Sequence, residues 1–164
     1  MLVRPARRAD AAAIADVHVR TWQAAYEHVF GAERLAGIGE RRRTQWEERL
    51  VDPPPDWRVF VAEEADRVVG FVWTGDSRDE PGKGELFAIY VLPEAWGSGA
   101  GPELMASALE ALRGYSSAAL WVLEDNPRAR RFYEREGWIL DGGRRDEEFL
   151  GVPVTEVRYR TTFD

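Results

Sequence analysis

The sequence predicts a protein of the α/β (α+β) class, with helices flanking one mixed β-sheet. Three observations carry this expectation. Short runs that alternate apolar and polar residues, bounded by Gly, Pro and Asp, mark strands. Longer segments with apolar residues three and four apart mark helices. Twice, an apolar strand passes through a short loop directly into a helix, at Glu85–Pro102 and at Leu120–Trp138.

The elements follow in order. Leu2–Arg4 reads as a short strand ending at Pro5, and Asp10 stands where a helix N-cap would. Residues 11–30 form the first predicted helix, stopped by Gly31. A second runs over about 32–51, weakened or split by Gly37 and Gly39. Three prolines in the run 52–56 impose a loop. Residues 57–64 and 68–75 alternate on either side of Asp66, which predicts a hairpin. Residues 85–92 are mostly apolar and suit the middle of a sheet. A helix over about 102–113, a strand over 117–123 and a helix from Asn126-Pro127 to Gly137 come next. The tail reads as a strand near 138–140, a polar loop around Gly142-Gly143 and a last strand over about 154–162. No repeat or low-complexity linker interrupts the pattern, so residues 1–164 read as one domain.

Composition narrows the function classes. With no cysteine, the chain has no disulfide, thiolate metal site, iron–sulfur cluster or cysteine nucleophile. Two histidines, His18 and His28, are few for a histidine metal site, and no metal is expected. Both read as surface or capping residues. The formal charge of −7 argues against a nucleic-acid surface. The run Arg41-Arg42-Arg43 is flanked by Glu40, Glu47 and Glu48 and reads as a solvated helix face. No apolar stretch reaches membrane-spanning length and the first ten residues lack a signal-peptide core, so a cytoplasmic location is expected.

Two stretches carry chemistry. In the first, Gly97, Gly99 and Gly101 alternate after a buried strand and just before a helix. Glycines let backbone approach a phosphate, and the free amides and dipole of a helix start favour an anion. No GK[ST] sequence follows, so this is not a nucleoside-triphosphate loop, and the glycine spacing is wrong for a dinucleotide fingerprint. A flexible strand–helix turn would look the same. In the second, Asn126 is placed to cap a helix with Pro127 at its first position. Ala129, Phe132, Tyr133 and Glu136 share a helix face that should meet the sheet. A plain cap accounts for Asn126 and a core aromatic for Tyr133.

Together, in this order and separation, the two stretches resemble the GCN5-related N-acetyltransferase family, and the element order agrees over nearly the whole chain. The resemblance implies a mixed, mostly antiparallel sheet splayed between its fourth and fifth strands, with acetyl-coenzyme A in the gap. It implies that Ile89, Tyr90 and Val91 offer backbone groups to the pantetheine arm. Gly97, Ser98, Gly99, Ala100, Gly101 and Pro102 would cradle the diphosphate, and Asn126 would contact the cofactor arm. Tyr133 would sit beside the sulfur and protonate the leaving thiolate. Glu85, and second to it Glu124, are the candidate bases for an amine acceptor, which attacks directly in a ternary complex. Trp22 and Tyr26, with Trp46 or Trp73, are candidate walls of the acceptor pocket. Dimers are frequent in the family, so a homodimer is compatible with the resemblance. A domain of this fold that binds the cofactor without turnover is the alternative reading. The chain departs from the family at Trp96 and Ser98, where Gln or Arg and a basic residue often stand, and at Pro102, which lacks an amide donor. The loop thus has no cationic side chain of its own, which implies an affinity weaker by up to about 1–2 kcal/mol unless Arg128, Arg130 or Arg131 compensates.

Overall fold

Residues 1–164 are described in a computed structural model. The strands are β1 (Leu2–Pro5), β2 (Arg58–Glu64), β3 (Arg67–Asp76), β4 (Gly84–Val91), β5 (Ser117–Leu123), β6 (Ile139–Phe149) and β7 (Val152–Thr162). The helices are α1 (Ala11–Phe30), α2 (Ala32–Ala36), α3 (Gly39–Val51), α4 (Ala100–Leu112) and α5 (Pro127–Arg135). The strands form one sheet in the order β1-β2-β3-β4-β5-β7-β6. All pairs are antiparallel except β4–β5, which is parallel.

That exception shapes the molecule. β4 and β5 pair only at Gly84↔Ala118 and Glu85↔Ala119 and then diverge. Beyond Glu85, the edge of β4 that faces β5 has no strand partner. β5 is instead bound along its other edge by β7, from Ser117↔Thr162 to Leu123↔Glu156. The sheet therefore consists of two coherent halves joined at one corner, with a gap between them.

A β-bulge decides which side chains face which way. Trp73 pairs with Ala88 and Thr74 with Leu86, so Phe87 is the extra residue on β4. Past it, Ile89 joins Leu86 in the core under α4, while Ala88 and Tyr90 turn to the opposite face with α1 and α3. The α4 face holds the main core, where Leu104 and Met105 are fully buried. Burying a side chain of that size stabilises by roughly 1.5–3 kcal/mol. Tyr133 of α5 belongs to the same core, so α4 and α5 share a face. A third cluster joins α1 and α2 to the β6–β7 hairpin through Tyr26, Phe30, Leu35 and Phe149.

The two-residue turn at Ala65-Asp66 closes the expected hairpin of β2 and β3, with both residues at positive φ, 50° and 61°. Helix 32–51 is split into α2 and α3 at Gly37. Several expectations need correction. Asp10 stands before α1 but does not cap it. Its carboxylate accepts from the Arg7 amide at 2.6 Å and pairs with Arg4 of β1, tying the helix start to the sheet. The expected loop around Gly142-Gly143 is part of β6, which continues through a register shift between Leu140 and Arg144. β6 is an edge strand, exposed along most of its length, so it lacks the alternation that betrays a half-buried strand. His18 is not on the surface. It is buried, and its Nδ1 accepts from Trp46 Nε1 at 3.2 Å. Desolvation, then the nearby Arg42 and Arg49, push the imidazole down to about 3. His28 is exposed as expected, beside Asp125. No helix is long and apolar enough to cross a membrane.

Candidate active site

The gap between β4 and β5 opens into a cavity of about 1000 Å³, which suits a ligand of cofactor size. It passes through the sheet. On the α4 side it is lined by Gly97, Gly99, Gly101, Phe132 and Tyr133. On the α1 side it is lined by Trp22, Tyr26, Glu85, Trp121, Phe149 and Glu156. The charges divide in the same way. Helix α5 contributes Arg128, Arg131 and Arg135, against one acid, Glu136, just past its end. The opposite side contributes Glu85, Glu147, Glu148 and Glu156 against Arg78 and Arg145. One end thus favours an anion and the other a cation.

The glycine loop lies at the cationic end. Gly97 and Gly99 have φ of 81° and 95°, the left-handed region in which a side chain is strained. The amides of Gly97, Gly99 and Gly101 donate to no protein acceptor, while that of Ala100 is held by the Ser98 hydroxyl at 3.3 Å. Helix α4 begins at Ala100, two residues before the sequence suggests, which puts Pro102 in its first turn, where a missing N–H costs nothing. Free amides at the start of a 13-residue helix form an anion cradle. Trp96 braces the loop, its indole N–H donating to the Val91 carbonyl at 2.8 Å.

Asn126 does cap α5: its Oδ1 accepts from the Ala129 amide at 3.2 Å. Its Nδ2 also donates to the Tyr26 hydroxyl at 2.9 Å, linking α5 to α1 across the mouth of the gap. Trp22 stacks edge-on against Tyr26 with ring centroids 4.6 Å apart, and its indole N–H donates to the Tyr90 hydroxyl at 3.1 Å. Trp22 and Tyr26 therefore do line the cleft, joined by Phe149 from the β6–β7 hairpin. Trp46 and Trp73 do not. Trp46 is 0% exposed, and the pair packs on the far side of β3, with Arg49 over both rings.

Tyr133 is 7% exposed, faces the cavity and makes no hydrogen bond to the protein. Burial, and secondarily the neighbouring Tyr90, raise its hydroxyl above the ordinary phenolic range, so it keeps its proton at any physiological pH. The side chain of Glu85 is 2% exposed, and both its oxygens are held by Arg78, through the backbone amide, Nε and Nη2. Glu156 lines the same side, with one oxygen bonded to Arg145 at 3.0 Å and the other unbonded. Glu124 lies outside this cavity, 44% exposed and bridged to Arg144.

Sequence reasoning missed Glu156 and Phe149 as cleft residues, and of the three arginines it left open as compensating cations, Arg128 and Arg131 line the cleft and Arg130 does not. Glu156 and Phe149 sit on the β6–β7 hairpin, whose polar edge strand hid the pairing that brings them back over α1. The spacing of Arg128, Arg131 and Arg135 at i, i+3 and i+7 was the available signal for a shared helix face.

A gap that passes through a sheet, with an anion cradle at one end and carboxylates at the other, defines a class of α/β protein able to hold two unlike ligands. Comparison with known proteins says which kind. Residues 13–138 match the Acetyltransferase (GNAT) family, and the chain belongs to that family of acyl-coenzyme A-dependent N-acetyltransferases. It is 37% identical over 131 residues to the uncharacterized N-acetyltransferase YuaI of Bacillus subtilis (strain 168), covering 76% of this chain and 73% of that protein. Its fold is similar to the PaiA N-acetyltransferase of Thermoplasma acidophilum in complex with coenzyme A, with a TM-score of 0.75 at 16% identity over 99% of this chain and 98% of the other. It is also similar to YncA of Salmonella typhimurium with its cofactor acetyl-CoA, with a TM-score of 0.74 at 21% identity over 100% and 94%.

Proposed function

We propose that the protein transfers the acetyl group of acetyl-coenzyme A to a primary amine, by direct attack in a ternary complex. The observation that carries this is the passage through the sheet, with unpaired amides and arginines on one face and carboxylates and aromatic rings on the other. In this reading the diphosphate lies on Gly97, Ser98, Gly99, Ala100, Gly101 and Pro102, and the pantetheine arm runs along the unpaired edge of Ile89, Tyr90 and Val91. The acceptor enters from the opposite face between Trp22, Tyr26 and the acidic residues. A cationic amine fits that end, because aromatic faces and carboxylates both attract positive charge.

An alkylammonium holds its proton to about pH 10.4, so a base must take it before attack. We assign that proton to Glu156, whose second oxygen is free, rather than to Glu85, whose oxygens are both committed to Arg78. Glu85 then serves with Arg78 to hold the closed end of the gap. The amine nitrogen bonds to the acetyl carbon, the carbon–sulfur bond breaks, and the Tyr133 hydroxyl gives its proton to the leaving thiolate. The amide of Val91 is the donor placed to polarise the acetyl oxygen.

The test is a thiol-release screen of diverse amines, with mass spectrometry of the products. Mono- and polyamines should be acetylated in preference to acidic amines. Binding of acetyl-coenzyme A with no release across the whole panel would favour a cofactor-sensing domain instead. Gln variants at Glu156 and Glu85 decide the base. Glu156→Gln should abolish acetyl transfer while acetyl-coenzyme A binding is retained. If Glu85→Gln abolishes it instead, the role returns to Glu85.

A further inference from the structure

The arginines that line the cavity fall into two kinds. Arg78 and Arg145, on the acceptor side, are paired with Glu85 and Glu156. Arg128, on α5, forms no ion pair and no hydrogen bond to the protein, although the chain carries a net charge of −7. Its guanidinium carbon instead sits 3.6 Å from the centroid of the Trp96 ring. That ring is itself fixed by the bond from its indole N–H to the Val91 carbonyl. Trp96 immediately precedes Gly97, so the guanidinium is parked against the loop whose amides are free. A guanidinium stacked on an aromatic face keeps its in-plane N–H donors available, and those donors match phosphate oxygens. The loop's own side chains offer no cation, since Ser98 and Pro102 stand where one could have been.

We infer that Arg128, held on Trp96, is the cationic ligand of the coenzyme A diphosphate, supplied from α5 in place of a basic side chain in the loop. This rests on the acetyl-coenzyme A reading above. Arg131 and Arg135, one and two turns further along α5, extend the positive field at the same mouth. The arrangement also makes Trp96 a positioning residue. A tryptophan 38% exposed beside a phosphate loop otherwise has no evident reason to be there. Its ring sets where the guanidinium rests, and the bond to Val91 couples that position to the end of β4.

The experiment is calorimetric titration of wild type, Arg128→Ala and Trp96→Leu with coenzyme A, dephospho-coenzyme A and pantetheine. Arg128→Ala should weaken coenzyme A and dephospho-coenzyme A about tenfold alike, the worth of one charge-assisted contact, and leave pantetheine unchanged. The salt dependence of coenzyme A binding should become shallower by about one charge. Trp96→Leu should produce a smaller loss with the same ligand pattern. Equal affinities in Arg128→Ala and wild type would overturn the inference while leaving the cofactor reading intact. So would an equal loss for pantetheine, because that ligand has no phosphate. Failure of wild type to bind coenzyme A at all would instead remove the cofactor reading on which the inference stands.

Discussion

Asn126 and Tyr26, 100 residues apart in sequence, are joined by a 2.9 Å hydrogen bond from the amide Nδ2 to the phenol oxygen. The same asparagine caps α5 through its Oδ1. One side chain thus fixes the start of the helix that carries Tyr133 and ties it to the helix that walls the acceptor side. Removing it should cost more than a cap. Asn126→Ala should lose about 1–2 kcal/mol from the cap and the bridge together. Tyr26→Phe should lose about 1 kcal/mol. Because the bridge is shared, the double variant should be less destabilised than the sum, by roughly 0.5–1 kcal/mol. Denaturant unfolding of the four proteins checks this, and strict additivity would mean that the bond contributes nothing.

Tyr133 makes no internal hydrogen bond, so its hydroxyl is free for chemistry. Tyr133→Phe should leave thermal stability and acetyl-coenzyme A affinity within error of wild type. Its kcat should fall by about 10²-fold if protonation of the thiolate is its role. Because burial raises this phenol, kcat of the wild type should show no alkaline limb from it below about pH 10. Steady-state kinetics over about pH 6–10 give both readings. A variant with unaltered kcat would return Tyr133 to the core.

Gly99 adopts φ 95°, and a Cβ there would meet no protein atom within 4 Å. Gly99→Ala should therefore destabilise by about 1–2 kcal/mol through backbone strain alone. Any loss of cofactor affinity must then come from the methyl group or from the displaced amides, not from a clash within the protein. An affinity loss of about tenfold, measured by titration at a temperature where the variant is fully folded, would support the anion cradle. Unchanged affinity would place the diphosphate elsewhere.

His18 makes stability depend on acid. In the fold it stays neutral down to about 3, because burial excludes its charge and its Nδ1 must accept from Trp46. In the unfolded chain it protonates near its ordinary value of 6.5. Below that pH the unfolded chain takes up a proton that the fold refuses. The stabilisation is therefore complete above about pH 6.5 and is lost as pH falls toward 3. For a single site of this kind the slope reaches at most about 1.4 kcal/mol per pH unit. His18→Asn keeps an acceptor for Trp46 and cannot protonate. Its stability should fall less steeply than wild type between about pH 6.5 and 4. Parallel curves from chemical unfolding across that range would show that His18 is not buried as neutral imidazole.

Which parts of this were readable in the chain follows from the range of the forces involved. Local backbone chemistry determined the hairpin at Asp66, the break near Gly37, the glycine loop before α4 and the cap at Asn126, because each depends on residues within one turn of one another. The helical spacing of Ala129, Phe132, Tyr133 and Glu136 likewise marked a face meant for the core. The sequence pattern could not tell that His18 would be enclosed by Trp46 and Tyr90, since both partners arrive from distant elements. It could not sort Glu85, Glu124 and Glu156 by what they face. Glu124 and Asn126 are two residues apart, yet the first pairs with Arg144 outside the cavity and the second reaches Tyr26. Strand pairing decides that. The β4–β5 ladder stops after two pairs, and the polar edge strand β6 folds back with β7 to carry Phe149 and Glu156 to α1. Only the assembled sheet brings the Arg128 guanidinium onto Trp96, and with it the missing positive charge to the glycine loop. Side-chain identity is local information, whereas the partner of a charge is set by whichever distant element the sheet brings within a few ångströms.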